Sequence, residues 1–456
     1  MTPSKRDERL EVVEICAGAG GQTLGLERAG FHHRLAVELD ESAAGTLRYN
    51  LEHALGYSHE EAKNTVKVGD AADPTKLDPA EHRDLDLLAG GVPCPPFSIA
   101  GKQLGANDER DLFAWAVELC GRIEPNALLL ENVRGLSANR FTAYRQHVLD
   151  RLRDNDYIAE WKLLHASDFG VSQLRPRFVL VALKKEFAPY FVWPEVHIEK
   201  PPTVGNLLKE LMASGGWEPD SVEKWVQNAN DIAPTIVGGS KKHGGADLGP
   251  TRAKRAWAEL GVDAMGVANK PPHPGWQPEK GAPGPKLTTA MVARIQGWDS
   301  TVPFTKDRPA TEVDKFRWEF LGLKTSVYRQ IGNAFPPPVA MAVGEAIREA
   351  LLKKGEERTL LESTDAVLDP VYKLLQGSAD WFTVDKIIDR LARLGTHLDQ
   401  PEVERHLNHL SHDFALDQKV AKSGAVSFRL GQFKAFLGQD DHARHDLFTQ
   451  HRAKIS

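Results

Sequence analysis

The sequence predicts an α/β protein: a doubly wound domain, a smaller second domain and a C-terminal module. Three observations carry this. The first 190 or so residues alternate short, nearly all-apolar runs with helical stretches, as strands covered by helices on both faces require. From about residue 187 to 286 the chain becomes rich in Gly, Pro and Trp, with few long periodic segments. From about residue 360 onward, helical periodicity is followed by a hairpin pattern, which reads as a separate unit.

The elements follow in order. Residues 12–16, 35–39, 66–68, 85–89, 127–130 and 178–183 read as strands, several of them apolar on both faces. Residues 22–28 read as a helix stopped by Gly30 in the manner of a C-terminal glycine cap. A second amphipathic helix spans about 338–354. In the last block, 383–394 and 400–412 read as helices and 420–430 as a hairpin with Ser423-Gly424 at its turn. Helices followed by a hairpin predict a winged-helix-like module.

A chain of 456 residues is too long for one ordinary core. With 41% hydrophobic and 26% charged residues it has the composition of a soluble globular protein. No apolar run approaches the roughly 18 residues a membrane span needs, and the start MTPSKRDERL lacks a signal-peptide core. A cytoplasmic location, with no membrane contact, is expected. Cys16, Cys94 and Cys120 form no CxxC pair, which argues against a disulfide framework or a bound metal. The net charge of −6 does not by itself suggest nucleic acid. Between residues 241 and 286, however, eight Lys/Arg stand against four Asp/Glu, a local excess of four positive charges. From Leu360 onward the balance is 12 Lys/Arg to 14 Asp/Glu, which weakens a DNA-binding reading of the last block.

Glu14-Ile15-Cys16-Ala17-Gly18-Ala19-Gly20-Gly21 follows a strand and opens a helix, so its backbone can approach a ligand closely. Dinucleotide enzymes share this geometry, but Thr23 occupies the place of their third glycine. Glu38, twenty residues beyond Gly18, can accept hydrogen bonds from ribose hydroxyls, and Asp70 follows the third strand. Gly90-Gly91-Val92-Pro93-Cys94-Pro95-Pro96-Phe97-Ser98 puts a cysteine among three prolines just past a strand's carboxyl end, where α/β sheets bind ligands. Glu131-Asn132-Val133 ends the next apolar strand, and Gln173-Leu174-Arg175-Pro176-Arg177 sets two guanidiniums two residues apart. Together these put a thiol, a carboxylate and two arginines beside an adenosyl-type loop.

These segments, with Leu287-Thr288-Thr289, Ala293-Arg294-Ile295-Gln296-Gly297-Trp298 and Gln330-Ile331-Gly332-Asn333-Ala334 after them, resemble the ordered motifs of the cytosine-5 DNA methyltransferases, particularly the bacterial restriction–modification type. The resemblance spans roughly residues 12–354. It implies a Rossmann-like methyltransferase domain from 1–188 plus 322–357 and a target-recognition domain with its hinge at 189–321, leaving 360–456 as the accessory module. It implies S-adenosyl-L-methionine as methyl donor, no metal, and double-stranded DNA as partner. A cognate restriction endonuclease in the same system and a monomer on DNA are expected with it. Cys94 is then the nucleophile toward carbon 6 of a flipped-out cytosine, Glu131 the proton donor at N3, Arg177 the group at O2, and Arg175 its support. Cys16, Gly18, Gly20, Gly21, Glu38, Asp70, Pro93, Leu112 and Asn333 line the cofactor site. Asn333 does so only if the helix at 338–354 folds back against the first strand. Ser98, Thr235, Lys241, Lys242 and Arg252 contact DNA.

Three positions depart from that family's pattern: Cys16 where phenylalanine is common, Glu14 for an aspartate, and Pro95 where a glutamine usually follows the cysteine. Rival readings are a tRNA methyltransferase of the same family, a non-catalytic DNA-binding regulator, and an NAD-dependent oxidoreductase. The last leaves the Pro-Cys loop and the paired arginines without a task.

Overall fold

The computed structural model describes residues 9–83, 85–92, 110–196, 199–238, 246–298, 318–359 and 368–434, the side chains of Arg110 and Asp111 apart. Cys94, Pro93, Ser98, Lys241 and Lys242 lie outside the described residues.

Seven strands form the central sheet: β1 (Leu10–Ile15), β2 (Phe31–Glu38), β3 (Val66–Val68), β4 (Leu87–Gly90), β5 (Ala127–Val133), β6 (Tyr157–His165) and β7 (Pro176–Lys184). Their order is β3-β2-β1-β4-β5-β7-β6. The first five run parallel, and the order reverses between β1 and β4, so the loops after those strands diverge and leave a crevice. β7 is antiparallel to both β5 and β6. The doubly wound domain expected from sequence thus has a mixed, mainly parallel sheet, and β6 had not been foreseen. Its sequence, YIAEWKLLH, is only partly buried along most of its length because it is the edge strand. An edge strand lacks the all-apolar run that marks a central one.

The strand expected at 12–16 ends one residue early. Cys16 has φ +51°, a left-handed conformation that takes the chain out of the sheet. Helix Gly21–Arg28 follows, and Gly30 stops it with φ +95° and a bond from its amide to the Glu27 carbonyl. The helix Pro337–Leu351 lies across this one. A methyl group on Gly25 would come within 2.5 Å of Ala340 Cβ, so glycine sets how closely the two approach. Val339, Val343 and Ile347 share a core with Leu26 and with Val12 of β1, which places the late helix over the first strand as expected.

The chain between 204 and 298 carries helices Val204–Ala213, Pro219–Asn228, Thr251–Glu259 and Thr289–Ile295. Trp225, Trp257 and Trp298 are buried in it, in one apolar cluster with Ala17, Ala19 and Leu47 beside the first loop. Residues 318–321, assigned from sequence to the recognition region, are tied to helix Glu41–His53. Asn50 exchanges two hydrogen bonds with the Glu319 backbone, and the Leu321 amide donates to Thr46.

The last block folds as helix Pro370–Leu375, β8 (Phe382–Thr383), helices Val384–Arg393 and Gln400–Asp413, then the hairpin β9 (Phe414–Val420) and β10 (Val426–Phe433). Its sheet order is β8-β10-β9. Gly424, φ +84°, sits at the hairpin turn anticipated from Ser423-Gly424. This block shares a core with helix Thr142–Asp154. Tyr144 packs on Phe433, His147 Nδ1 lies 2.9 Å from Tyr372 Oη, and Thr142 donates to Asp369. No described helix is long and apolar enough to cross a membrane.

Candidate active site

The loop after β1 is built from left-handed residues: Cys16, Gly18 (φ +58°) and Gly20 (φ +94°). Its geometry is held from two sides. The Gly18 amide donates to Glu38 Oε2 at 2.8 Å, and the Asp40 amide to Glu38 Oε1 at 2.7 Å. From the other side Trp318 Nε1 donates to the Ala19 carbonyl at 3.0 Å. A side chain on Gly20 would strike the Trp318 ring at 2.6 Å, and one on Gly21 the Phe335 carbonyl at 2.4 Å. Burial raises the Glu38 carboxyl above its ordinary range, against the backbone amides that favour its charge. Asp70 lies at the end of neighbouring β3, accepting from the Ala72 amide, and the Gly69 amide bonds the Glu38 carbonyl. Leu112 is in the core cluster on which Cys16 packs. Cys16, Gly18, Gly20, Gly21, Glu38 and Asp70 therefore lie along the carboxyl edge of β1–β3.

The second half of the crevice holds Glu131, Arg175 and Arg177, the described members of the sequence-predicted catalytic set. Glu131 near the end of β5 and Arg177 in β7 form an ion pair at 2.5 Å, both buried. Burial raises the Glu131 carboxyl, an effect opposed by Arg177 and then Arg175. A methyl group on Gly91 would lie 3.6 Å from Glu131 Oε2 and 3.8 Å from the Cys16 carbonyl. Asn132 Nδ2 donates to the Val92 carbonyl at 3.2 Å. The segment that leads into Cys94 thus leaves the sheet beside Glu131, pinned to β5.

Arg175 is placed differently from Arg177. Its guanidinium is fully buried and donates to the carbonyls of Ile236 (2.7 Å), Gly332 (2.6 Å) and Ala334 (2.7 Å). It ties β7 to the 233–238 segment and to the Gln330–Ala334 motif, so it acts as a support. Asn333 lies against Gly238, where a methyl group would sit 2.2 Å from Asn333 Oδ1. Thr235 belongs to that segment and is half-buried, while Arg252 is exposed on helix Thr251–Glu259. Two bases of the positive stretch are already paired, Lys254 with Asp247 and Lys286 with Asp263.

Sequence reasoning gave no role to six residues around this site. Gln22 is buried, and neither end of its amide has a partner among the described residues; its Oε1 is 4.0 Å from a methyl position on Gly91. Buried unpaired amides are costly, so this one has hydrogen-bonding capacity to offer at the loop. Gln173 accepts from the Ile236 amide, and Tyr328 donates to the Val237 and Asp247 carbonyls. Trp298, Trp318 and Phe320 form the aromatic cluster under the glycines. Gln173 and Trp298 stood in motifs; the others gain meaning from partners remote in sequence. Among the described residues no group of His, Cys, Asp and Glu could hold a metal.

The comparisons with known proteins identify the family. The family model "C-5 cytosine-specific DNA methylase" matches residues 10–349. The chain is 60% identical to the type II methyltransferase M.NaeI of Lentzea aerocolonigenes over 98% of this chain and 100% of that protein. It is 46% identical to the type II methyltransferase M.NgoMIV of Neisseria gonorrhoeae, over 75% of this chain and 98% of that one. M.PspPI of Psychrobacter sp. is 30% identical over 74% and 78% of the two chains. With the crevice, the loop, the buried Glu131–Arg177 pair and these relatives in hand, the chain belongs to the C-5 cytosine-specific DNA methylase family and is a DNA cytosine-5 methyltransferase of the restriction–modification type.

Proposed function

We propose that this enzyme methylates carbon 5 of a cytosine flipped out of a specific duplex site, through a covalent bond to Cys94. One observation carries the reading: the buried Glu131–Arg177 pair lies beside the point where the Cys94 segment leaves the sheet. A thiolate adding at carbon 6 turns the ring into an enamine with electron density at carbon 5. Glu131, its carboxyl raised by burial, donates a proton at N3 as the adduct forms. Arg177 meets the O2 side, and Arg175 holds its strand against the recognition segment. S-Adenosyl-L-methionine, when bound, supplies an electrophilic methyl group that carbon 5 accepts. Water takes the carbon-5 proton, the bond from carbon 6 to sulfur breaks to release the Cys94 thiolate, and the N3 proton returns to Glu131.

The cofactor fits the left-handed loop, with Gly18, Gly20 and Gly21 admitting its approach, Glu38 and Asp70 at the ribose and adenine, and Pro93, Leu112, Asn333 and Cys16 closing around it. The Gln22 amide, without a partner among the described residues, is available to it. Residues 1–188 plus 322–357 form the catalytic domain in this reading, 189–321 the target-recognition domain, and 360–456 a winged-helix-like accessory module. Ser98, Thr235, Lys241, Lys242 and Arg252 are the DNA contacts. The product protects DNA from a cognate endonuclease, and the enzyme works in the cytoplasm as a monomer on DNA.

The test is transfer of labelled methyl from S-adenosyl-L-methionine to unmethylated duplex DNA and, in parallel, to bulk tRNA, with Cys94→Ala alongside. Label in DNA cytosine that vanishes in the variant is the expected result. Label in tRNA alone refutes the DNA substrate, and label that persists in the variant refutes the nucleophile.

A further inference from the structure

Behind the cofactor loop lies a closed ring of buried polar groups that the reaction does not use. Glu14 of β1 accepts from Thr23 Oγ1 at 2.8 Å, and the same oxygen lies 2.8 Å from His33 Nε2 of β2. His33 Nδ1 lies 2.8 Å from Glu27 Oε1. Thr23 and Glu27 are four residues apart on helix Gly21–Arg28, hence on one face, and they complete the ring. Tyr57 Oη donates to the same Glu27 oxygen, and the His33 amide bonds both Glu27 and Tyr57. Glu14, Thr23 and His33 are all fully buried.

The ring joins the three elements that make the cofactor cradle. Glu14 is two residues before Cys16, Thr23 is in the first turn after Gly20, and His33 is on the strand that ends at Glu38. Carboxylates only accept hydrogen bonds. An imidazole with a carboxylate at each nitrogen must therefore donate from both, which makes it imidazolium.

We propose that His33, clamped between Glu14 and Glu27, is a positioning residue that sets the spacing between the glycine loop and Glu38, and so governs affinity for the adenosyl cofactor. Resting as it does on the function proposed above, this adds a residue that no motif marks. Burial alone would push the imidazole down, but hydrogen bonds and charge from Glu14 and Glu27 outweigh it and bring it up to about 9. The groups facing it are Glu14 from β1, Glu27 from the helix and Tyr57 from the loop at 54–58. His32, stacked on Tyr57, stands beside it under the influence of Arg9 and Glu61, and Thr65 bonds the His33 carbonyl. Above that pH, loss of the proton leaves two carboxylates with one donor too few, and the ring opens.

The experiment is calorimetric titration of the full-length enzyme with S-adenosyl-L-methionine between pH 7 and 10, for wild type, His33→Gln and Glu27→Gln, with circular dichroism confirming folded protein. His33→Gln is expected to weaken binding about tenfold at pH 7.5, while kcat at saturating cofactor changes less than about threefold. The cofactor's own amino group titrates in every case, so the difference between curves reads His33. Wild type should lose affinity above about pH 9 beyond the loss seen in His33→Gln. Glu27→Gln, nearly isosteric, should move that inflection to lower pH, and it carries the test if His33→Gln does not fold. Variants that bind as wild type does, or parallel pH curves for all three, overturn the inference alone. A folded wild type that binds no cofactor overturns the proposed function, and the inference with it.

Discussion

Replacing Arg175 with alanine separates support from chemistry. The guanidinium donates to three backbone carbonyls at 2.6–2.7 Å and is completely buried. A hydrogen bond to a charged group contributes about 1.5–3 kcal/mol, so three set an upper bound of roughly 5–9 kcal/mol. Water entering the hole and partial collapse recover some of this, while burying a cation unfavourably offsets part of what it holds together. A net loss of about 3–5 kcal/mol is expected, comparable with breaking a buried pair. The carbonyls released belong to Ile236, Gly332 and Ala334, so the recognition segment and the Asn333 loop loosen together. Urea midpoints should fall accordingly, and affinities for both cofactor and DNA should drop. Arg175→Lys should rescue little, since one compact ammonium cannot span three diverging carbonyls. An alanine variant within about 1 kcal/mol of wild type would refute this reasoning. So would a variant that loses kcat with both affinities intact, because that places Arg175 in the chemistry.

Other outcomes follow from the same geometry. Glu131→Gln keeps the shape of the side chain but removes the proton donor beside Arg177; single-turnover methyl transfer should fall by about 10²–10⁴ with cofactor affinity preserved. Gly332→Ala would push a methyl group to 2.5 Å from Gly238 Cα and 2.6 Å from its amide nitrogen; DNA affinity measured by fluorescence anisotropy should fall as the recognition segment shifts. His147, at the seam between helix Thr142–Asp154 and the C-terminal block, is pushed down to about 4 by burial and then by Arg151. Its neutral form is the folded one, so its contribution is complete above about 6.5 and is lost as pH falls toward 4. Protection of 370–434 in hydrogen exchange should weaken over that window, and less so in His147→Gln.

The strands β1, β4 and β5 were legible because central parallel strands must be apolar on both faces, which leaves runs such as Leu87–Gly90 and Ala127–Leu130. The glycine loop, the Glu131 strand end and the Gln173–Arg177 motif were legible for a related reason. Backbone approach, a carboxylate at a strand end and an i, i+2 pair of arginines are local demands that sequence states locally. Gly30 and Gly424 announced a helix stop and a hairpin turn in the same way, since positive φ favours glycine.

What sequence did not reveal depends on partners far along the chain. The edge strand β6 carries no continuous apolar run and takes its place only by pairing with β7. The resemblance set Arg175 apart as a support for Arg177, yet only folding supplies their partners, three carbonyls from residues 236–334 for one and Glu131 for the other. Gly20 looks like any loop glycine until Trp318, nearly three hundred residues on, fills the space a side chain would take. His33 reads as an ordinary polar residue on a strand, and only folding brings Glu14 and Glu27 to its two nitrogens. The sequence by itself determined the family and most of the central strands that carry its motifs. Tertiary structure decided which charges are buried and paired, because burial and pairing belong to the neighbours that folding assembles and not to the residue.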